Sequence, residues 1–512
     1  MKFNKTYMAV ATIMLGLSAC SKEAFVEQEA AQLQEPLTKV ELNAIIKNEI
    51  ETKNDVFHWQ DQADHVLWSA VVQSDSIMSI GYQPAGYTQI EEKIHLIDIY
   101  ESEWANIKNK LLTFIVQETN RLNPGQKVDQ VDILIPEPDG ILPHFMVKMY
   151  NQEIISQLRS MPEVRFVEPL GYEMESEIQE RSDAGCGLSP NNNIPSADYT
   201  TTSPSVKIPW NFYHMNIPAA WATSTGDNIE VTLIDTGVYP EQSKLGSAFN
   251  SGQSQGRSIG KTGTYNSSFW WWNTKPDGPN DKCGHGTQMA GLIAAPRGSG
   301  GSSVGVAYNC NLYSIRGTGD VVVNSSKEKT GVKNALVKAG KRGNTKIVSM
   351  SIGDIFYSST VADGIYYAYN RGKMIFAAAG TSTSFTNWVG VVFPATMSQT
   401  VAVTGVKDGS SLTRCNTCHS GSAVDFVAVM QRSSSNSRTS LTLARSGNTP
   451  SSVGGSSAAT ATTAGIAALV WATNPSQSRS QVLSRLKNAA SIYPSRNSQY
   501  GWGIIDAAQA VN

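Results

Sequence analysis

Val231-Thr232-Leu233-Ile234-Asp235-Thr236-Gly237 decides the fold of this chain once it is set beside two later segments. These are Gly284-His285-Gly286-Thr287-Gln288-Met289-Ala290-Gly291 and Gly455-Ser456-Ser457-Ala458-Ala459-Thr460. Residues 229–234 are largely apolar and β-branched, and they stop at an acid followed closely by glycine. That is the pattern of a buried strand delivering a carboxylate to the carboxyl edge of a parallel sheet, where such sheets place their ligands. Gly284 and Gly286 flank His285, and apolar Met289, Ala290, Leu292, Ile293 and Ala294 follow. This predicts a helix with the imidazole at its mouth and small neighbours that let a ligand approach. Ser457 follows Gly454-Gly455-Ser456 and opens the uncharged run Ala458 to Val470, a buried helix that stops near Asn474-Pro475. Free N–H groups and the positive end of the helix dipole at such a start suit a developing oxyanion.

Each segment alone has an ordinary reading. A strand-end acid can bind a metal or a nucleotide, one of seven histidines can be structural, and a Gly/Ser loop can simply cap a core helix. In the order Asp, His, Ser along one α/β pattern, the three form an acid, a base and an activated hydroxyl, in the chain order of subtilisin. Here the sequence resembles the subtilase family of serine endopeptidases over roughly residues 207–512. Four further segments carry the likeness: Gly305-Val306-Ala307-Tyr308-Asn309-Cys310-Asn311-Leu312-Tyr313, Ser349-Met350-Ser351-Ile352-Gly353, Phe376-Ala377-Ala378-Ala379-Gly380 and Tyr500-Gly501-Trp502-Gly503-Ile504-Ile505-Asp506-Ala507. The resemblance implies Ser457 as nucleophile, with Ser456 in place of the family's usual Thr, His285 as general base and Asp235 as orienting acid. It implies protein or peptide substrates paired against Ser351, Ile352 and Gly353, and no metal or other cofactor in the chemistry. Structural calcium is common in the family, but no Asp-rich loop here marks a site.

The sequence departs from the family at three places. Thr381 stands where Asn usually completes the oxyanion hole, and its hydroxyl reaches about one bond less far than an amide. Ala461-Thr462 replaces a Pro-His pair, and Gln288 replaces a second His. Thr381 therefore supports a second expectation, a weak or inactive homologue that binds peptides.

The expected fold is α/β, a doubly wound and mostly parallel sheet. Helices over Thr330 to Lys341 and Val361 to Asn370 alternate with strands over 346–352, 374–379 and 400–405. A smaller unit precedes it. Strands over His95 to Tyr100, Val131 to Ile135, Phe145 to Met149 and Val164 to Pro169, with helices over Trp104 to Val116 and Gln152 to Ser160, give the ferredoxin-like β-α-β-β-α-β order. This unit also resembles the subtilase inhibitory propeptide, which makes the chain's own propeptide a partner. The resulting division is a signal over 1–19, a tether and unassigned segment over 20–90, the propeptide-like unit over 91–172, a polar linker suited to maturation cleavage over 173–206, and the catalytic part over 207–512.

Met1-Lys2-Phe3-Asn4-Lys5 and apolar Met8 to Leu17 form a signal too short to span a bilayer, and Leu17-Ser18-Ala19-Cys20 resembles a bacterial lipobox. This predicts export, with Cys20 as the lipidation site and membrane anchor. Ser21 points to the outer membrane in a cell that has two, and linker cleavage would release the catalytic part. A net charge of −2 indicates no nucleic-acid surface. Cys186, Cys283, Cys310, Cys415 and Cys418 remain after Cys20, so at least one thiol is unpaired. Cys415-Asn416-Thr417-Cys418-His419 matches the c-type haem pattern, a rival reading as an exported electron-transfer protein. Trp270-Trp271-Trp272 reads as a packed insertion or a groove wall, and Arg432 to Asn448 as a solvated loop.

Overall fold

The structure is a computed structural model that describes residues 35–125, 127–137, 139–174, 186, 189–268, 275–380 and 389–512. From Pro36 onward the chain forms one compact unit. Its first helix, Lys39–Lys53, starts at a capping box of Thr38 and Glu41 and buries Leu42, Ile46 and Ile50, spaced four apart on one face. Then come β1 (Ile77–Tyr82), the helix Ser102–Leu122, β2 (Leu134–Ile135), β3 (His144–Lys148), the helix Gln152–Ser160 and β4 (Val164–Pro169). The strands lie in the order β2-β3-β1-β4 and every neighbouring pair is antiparallel, the ferredoxin-like arrangement.

Two expected strands in this unit differ. His95 to Tyr100 is not a strand: Ile94–Leu96 is a single 3-10 turn, and Leu96 and Tyr100 are 72% and 69% exposed. The first strand is β1, inside the stretch left unassigned. All six of its residues are buried, so the period-two alternation that marks a half-exposed strand is missing. Over Val131 to Ile135 only the last two residues are strand, because Asp129 caps a helical turn, Gln130–Ile133, through the N–H groups of Val131 and Asp132.

After a hairpin of β5 (Tyr199–Thr202) and β6 (Val206–Pro209), the large sheet is built from β7 (Glu230–Asp235), β8 (Ile259–Gly263), β9 (Asn311–Arg316), β10 (Thr345–Met350), β11 (Met374–Ala378), β12 (Thr400–Lys407), β13 (Phe426–Arg432), β14 (Ser435–Leu443) and β15 (Pro450–Val453). Its nine strands run in the order β15-β14-β13-β12-β11-β10-β7-β9-β8, parallel from β13 to β8 and antiparallel at β14 and β15. Arg432 to Asn448 is therefore mostly strand rather than loop. Its polar Ser440 and Thr442 are buried because their hydroxyls donate to the Asn211 side chain (2.9 Å) and the Gln288 carbonyl (2.5 Å), and Leu441 and Leu443 between and beyond them are core residues.

The helices Ser326–Lys341 and Ser359–Asn370 pack against the sheet, and the N-terminal unit seats on them. Buried Glu168, at the end of β4, accepts from the N–H groups of Ser359 (3.0 Å) and Thr360 (3.1 Å), so a carboxylate from the small unit caps a helix of the large one. Arg165 grips Asp363 through two bonds of 2.9 and 2.8 Å. Burial pushes the Asp363 carboxyl upward, but the guanidinium outweighs it and holds the group below the usual carboxylate range. Losing one partner of such a pair costs about 3–5 kcal/mol, because the other charge stays buried.

Candidate active site

Parallel register gathers the site on one sheet edge. Met350 of β10 lies beside Ile234 of β7 on one side and Ala377 of β11 on the other. The next residue, Ser351, is therefore level with Asp235 and Ala378, one strand spacing of about 4.8 Å from each chain. Gly237 (φ +105°) follows Asp235, and a Cβ there would lie 2.4 Å from the Pro279 carbonyl. Glycine at 286 is required in the same way, since its Cβ would meet the Gly237 carbonyl at 2.3 Å. The two backbones touch, and that contact brings the His285 helix onto the Asp235 loop.

His285 is the first residue of the helix His285–Ala294, and its Nδ1 lies 2.9 Å and 3.1 Å from the two Asp235 carboxylate oxygens. Both side chains are buried. Burial alone lowers the imidazole pKa, but the Asp235 charge and hydrogen bond, with Asp281 and Asp320 behind, outweigh it, and the net shift is upward. An Asp facing Nδ1 fixes the tautomer whose Nε2 is the free base.

Asp281 organises the site and was missed in the sequence. Its Oδ1 accepts from Thr236 Oγ1 (2.9 Å), Cys283 N–H (3.0 Å) and Gly284 N–H (2.6 Å), and its Oδ2 accepts from Thr287 N–H (3.0 Å) and Thr287 Oγ1 (2.7 Å). Thr236 Oγ1 in turn accepts from Gly286 N–H (2.9 Å). One buried carboxylate thus satisfies the start of the histidine helix and the Asp235 loop together. Burial, the largest influence, raises its pKa. The only sequence signal was an acid four residues before the histidine. Cys186 and Cys283 form a disulfide that ties the linker to this loop, which the sequence left open.

Ser457 lies in the first turn of the helix Gly455–Ala472, whose cap, Gly454, offers no side chain. The N–H groups of that turn have no helical partner. Ser457 Oγ donates to the Ser351 carbonyl at 3.3 Å, and Ser351 Oγ donates to the Ser457 carbonyl at 3.0 Å. Neighbouring Ser456 is fully buried and donates to the Gly380 carbonyl at 2.5 Å, bracing the Ser457 turn against the segment that follows β11. Ile352 is buried, and Gly353 has both backbone groups engaged: it donates to the Val321 carbonyl (3.1 Å) and accepts from Val323 N–H (2.9 Å). Thr381 lies outside the described residues, as do Cys20 and Trp270 to Trp272. Cys415 and Cys418 are bonded to each other, so neither sulfur is free for a haem thioether, and His419 behind them is buried. Among the described residues Cys310 is the free thiol, buried in the core. Among the described residues no group of three or more His, Cys, Asp or Glu is placed to hold a metal, and no helix is long and apolar enough to cross a membrane.

The subtilase family profile matches residues 226–503. Alkaline protease of Alkalihalobacillus alcalophilus is 30% identical over 318 residues, 61% of this chain and 72% of that protein. Subtilisin Savinase of Lederbergia lenta is 30% identical over 308 residues, 59% of this chain and 98% of that protein. Thermitase of Thermoactinomyces vulgaris is 26% identical over 295 residues, 57% of this chain and 92% of that protein. The fold carries a buried Asp–His pair at the edge of a parallel sheet, and the family match defines the class as a hydrolase. The chain belongs to the subtilase family of serine peptidases.

Proposed function

We propose that the protein is a serine endopeptidase that hydrolyses peptide bonds through Asp235, His285 and Ser457, and that it is made as a self-processing precursor. The observation that carries this reading is the buried Asp235–His285 contact, at 2.9 Å, on the sheet edge where Ser457 opens a helix. The bond from Ser457 Oγ to Ser351 is long at 3.3 Å and therefore weak, which leaves the hydroxyl free to turn toward the imidazole. In the reaction His285 Nε2 takes the Ser457 proton as Oγ attacks the carbonyl carbon. The tetrahedral oxyanion is held by the Ser457 N–H at the helix start, with Thr381 as second donor. The imidazolium, held by Asp235, then protonates the leaving amine, and water hydrolyses the acyl-enzyme by the reverse relay.

The unit expected over 91–172, with β1 before it, acts in this reading as an inhibitory propeptide, seated through Glu168 and Arg165, and the linker over 173–206 is where maturation cuts. Residues 1–19 direct export and Cys20 carries the lipid, so the precursor is membrane-anchored and maturation frees the catalytic part. The test is to express wild type and Ser457→Ala and follow their size and peptide hydrolysis. Wild type should shorten by roughly the first third and cleave peptides, while Ser457→Ala should stay full length and inert. Equal shortening of the purified Ala chain would show that another protease does the cutting.

A further inference from the structure

Ser351, Gly353, Ile355 and Tyr357 present their backbone groups along one edge of the strand that continues from β10. Asp354 faces the opposite edge, where it donates to the Phe393 carbonyl (2.9 Å) and accepts from Phe393 N–H (3.0 Å). The first edge starts at the nucleophile, because Ser351 O receives the Ser457 hydroxyl. Gly353 is engaged by Val321 and Val323. Further along, a distant part of the chain takes the remaining places: Phe57 N–H donates to the Ile355 carbonyl (2.9 Å), and Tyr357 N–H donates to the Phe57 carbonyl (2.9 Å), in parallel pairing. Ile355 is four residues from Ser351, about 13 Å along the strand.

The side chains on this added segment are not incidental. Val56 is 2% exposed and belongs to a cluster that includes Val323, Ile352 and Phe393 of the large unit. Phe57 is fully buried, edge-on to Phe356 at 5.8 Å, and His58 stacks on Tyr357 at 4.8 Å. Main-chain bonds with alternating side-chain pockets are how a sheet edge captures an extended peptide.

We propose that the edge Gly353–Tyr357 is a binding site for an extended peptide bearing an aliphatic and then an aromatic residue, and that Asp55–His58 is its resident occupant and a second inhibitory element of the precursor. This rests on the protease reading for its consequence but not for its test. The occupant lies in the segment before β1, apart from Arg165 and Glu168 of β4. While it is in place, and while Val321 and Val323 hold both backbone groups of Gly353, the Ile355 carbonyl and the Tyr357 N–H are closed to a substrate. Being part of the same chain, it competes at an effective concentration in the millimolar range.

The test uses full-length Ser457→Ala chain, which does not process itself, and a fluorescent peptide of residues 52–60 followed by anisotropy. The chain with its own segment intact should not bind the peptide. With Val56→Asp and Phe57→Pro added, it should bind about tenfold tighter or better, and a peptide with proline in place of Phe57, which lacks the N–H donor, should not compete. Amide exchange at Tyr357 should speed up in the substituted chain and slow again when the peptide is added. If the double substitution unfolds the chain, Val56→Ala serves instead, with the native peptide expected to bind it better than one carrying alanine at that place. Equal binding by intact and substituted chains, or equal binding of the proline peptide, would overturn the proposal. Absence of peptide hydrolysis by the wild-type protein would count against the protease reading, not against this one, because the binding assay needs no catalysis.

Discussion

At the scale of single residues, the proposed reaction makes His285 the group that sets the pH profile. Its pKa is raised above the ordinary histidine value, against the opposing effect of burial, chiefly by Asp235. A general base works only when neutral, so turnover should climb through a pH above about 6.5. The sign for stability is opposite: the protonated form is favoured by the fold, so this contribution is complete below the unfolded pKa and fades as pH rises through the raised value. Asp235→Asn removes the main upward influence. Turnover should fall by about 10⁴, and the acid limb of the pH–rate curve should move to lower pH, both read from one set of initial rates. Asp281→Asn should act through geometry. Its new NH₂ would face the Thr287 N–H, leaving donors opposed at a buried spot, at a cost of about 1–3 kcal/mol. A melt should show that loss, and turnover should drop with little change in KM, since Asp281 is buried and acts by holding the start of the His285 helix. The sequence pointed to Asp235, His285 and Ser457 through their glycine-flanked settings. It gave little to mark Asp281: four of its five hydrogen bonds go to Cys283, Gly284 and Thr287 nearby in the chain, mostly backbone N–H groups that no side-chain pattern reveals, and only folding brings in the fifth, from Thr236.

At the scale of elements, the legible parts were those whose burial follows a simple period. The helix over 152–160 and the strand over 164–169 were read with their observed ends. β1 was missed because both its faces are covered, and β14 because its Ser440 and Thr442 hydroxyls donate to buried Asn211 and to the Gln288 carbonyl instead of facing water. The cap that Glu168 places on the helix Ser359–Asn370 also joins residues nearly two hundred apart, beyond any local pattern. A partly buried carboxylate at a helix start contributes up to about 2 kcal/mol. In a Ser457→Ala background, Glu168→Gln should lower the melting free energy by about 1–2 kcal/mol. Calorimetry on the two chains measures it, and an unchanged melt would mean the cap adds nothing to the seating of the small unit.

At the scale of the whole molecule, the small unit that begins at Pro36 rests on the helices Ser326–Lys341 and Ser359–Asn370, and in the proposed function it does so as the inhibitory part of a precursor. That function depends on Ser457 being an activated nucleophile. The most direct test is to treat the purified protein with a fluorophosphonate and map the adduct by peptide mass spectrometry. The account predicts one adduct, on Ser457, formed faster as pH rises through the His285 titration, strongly slowed in Asp235→Asn and absent in Ser457→Ala. Continued peptide hydrolysis by Ser457→Ala, or an adduct on some other serine with Ser457 untouched, would contradict it.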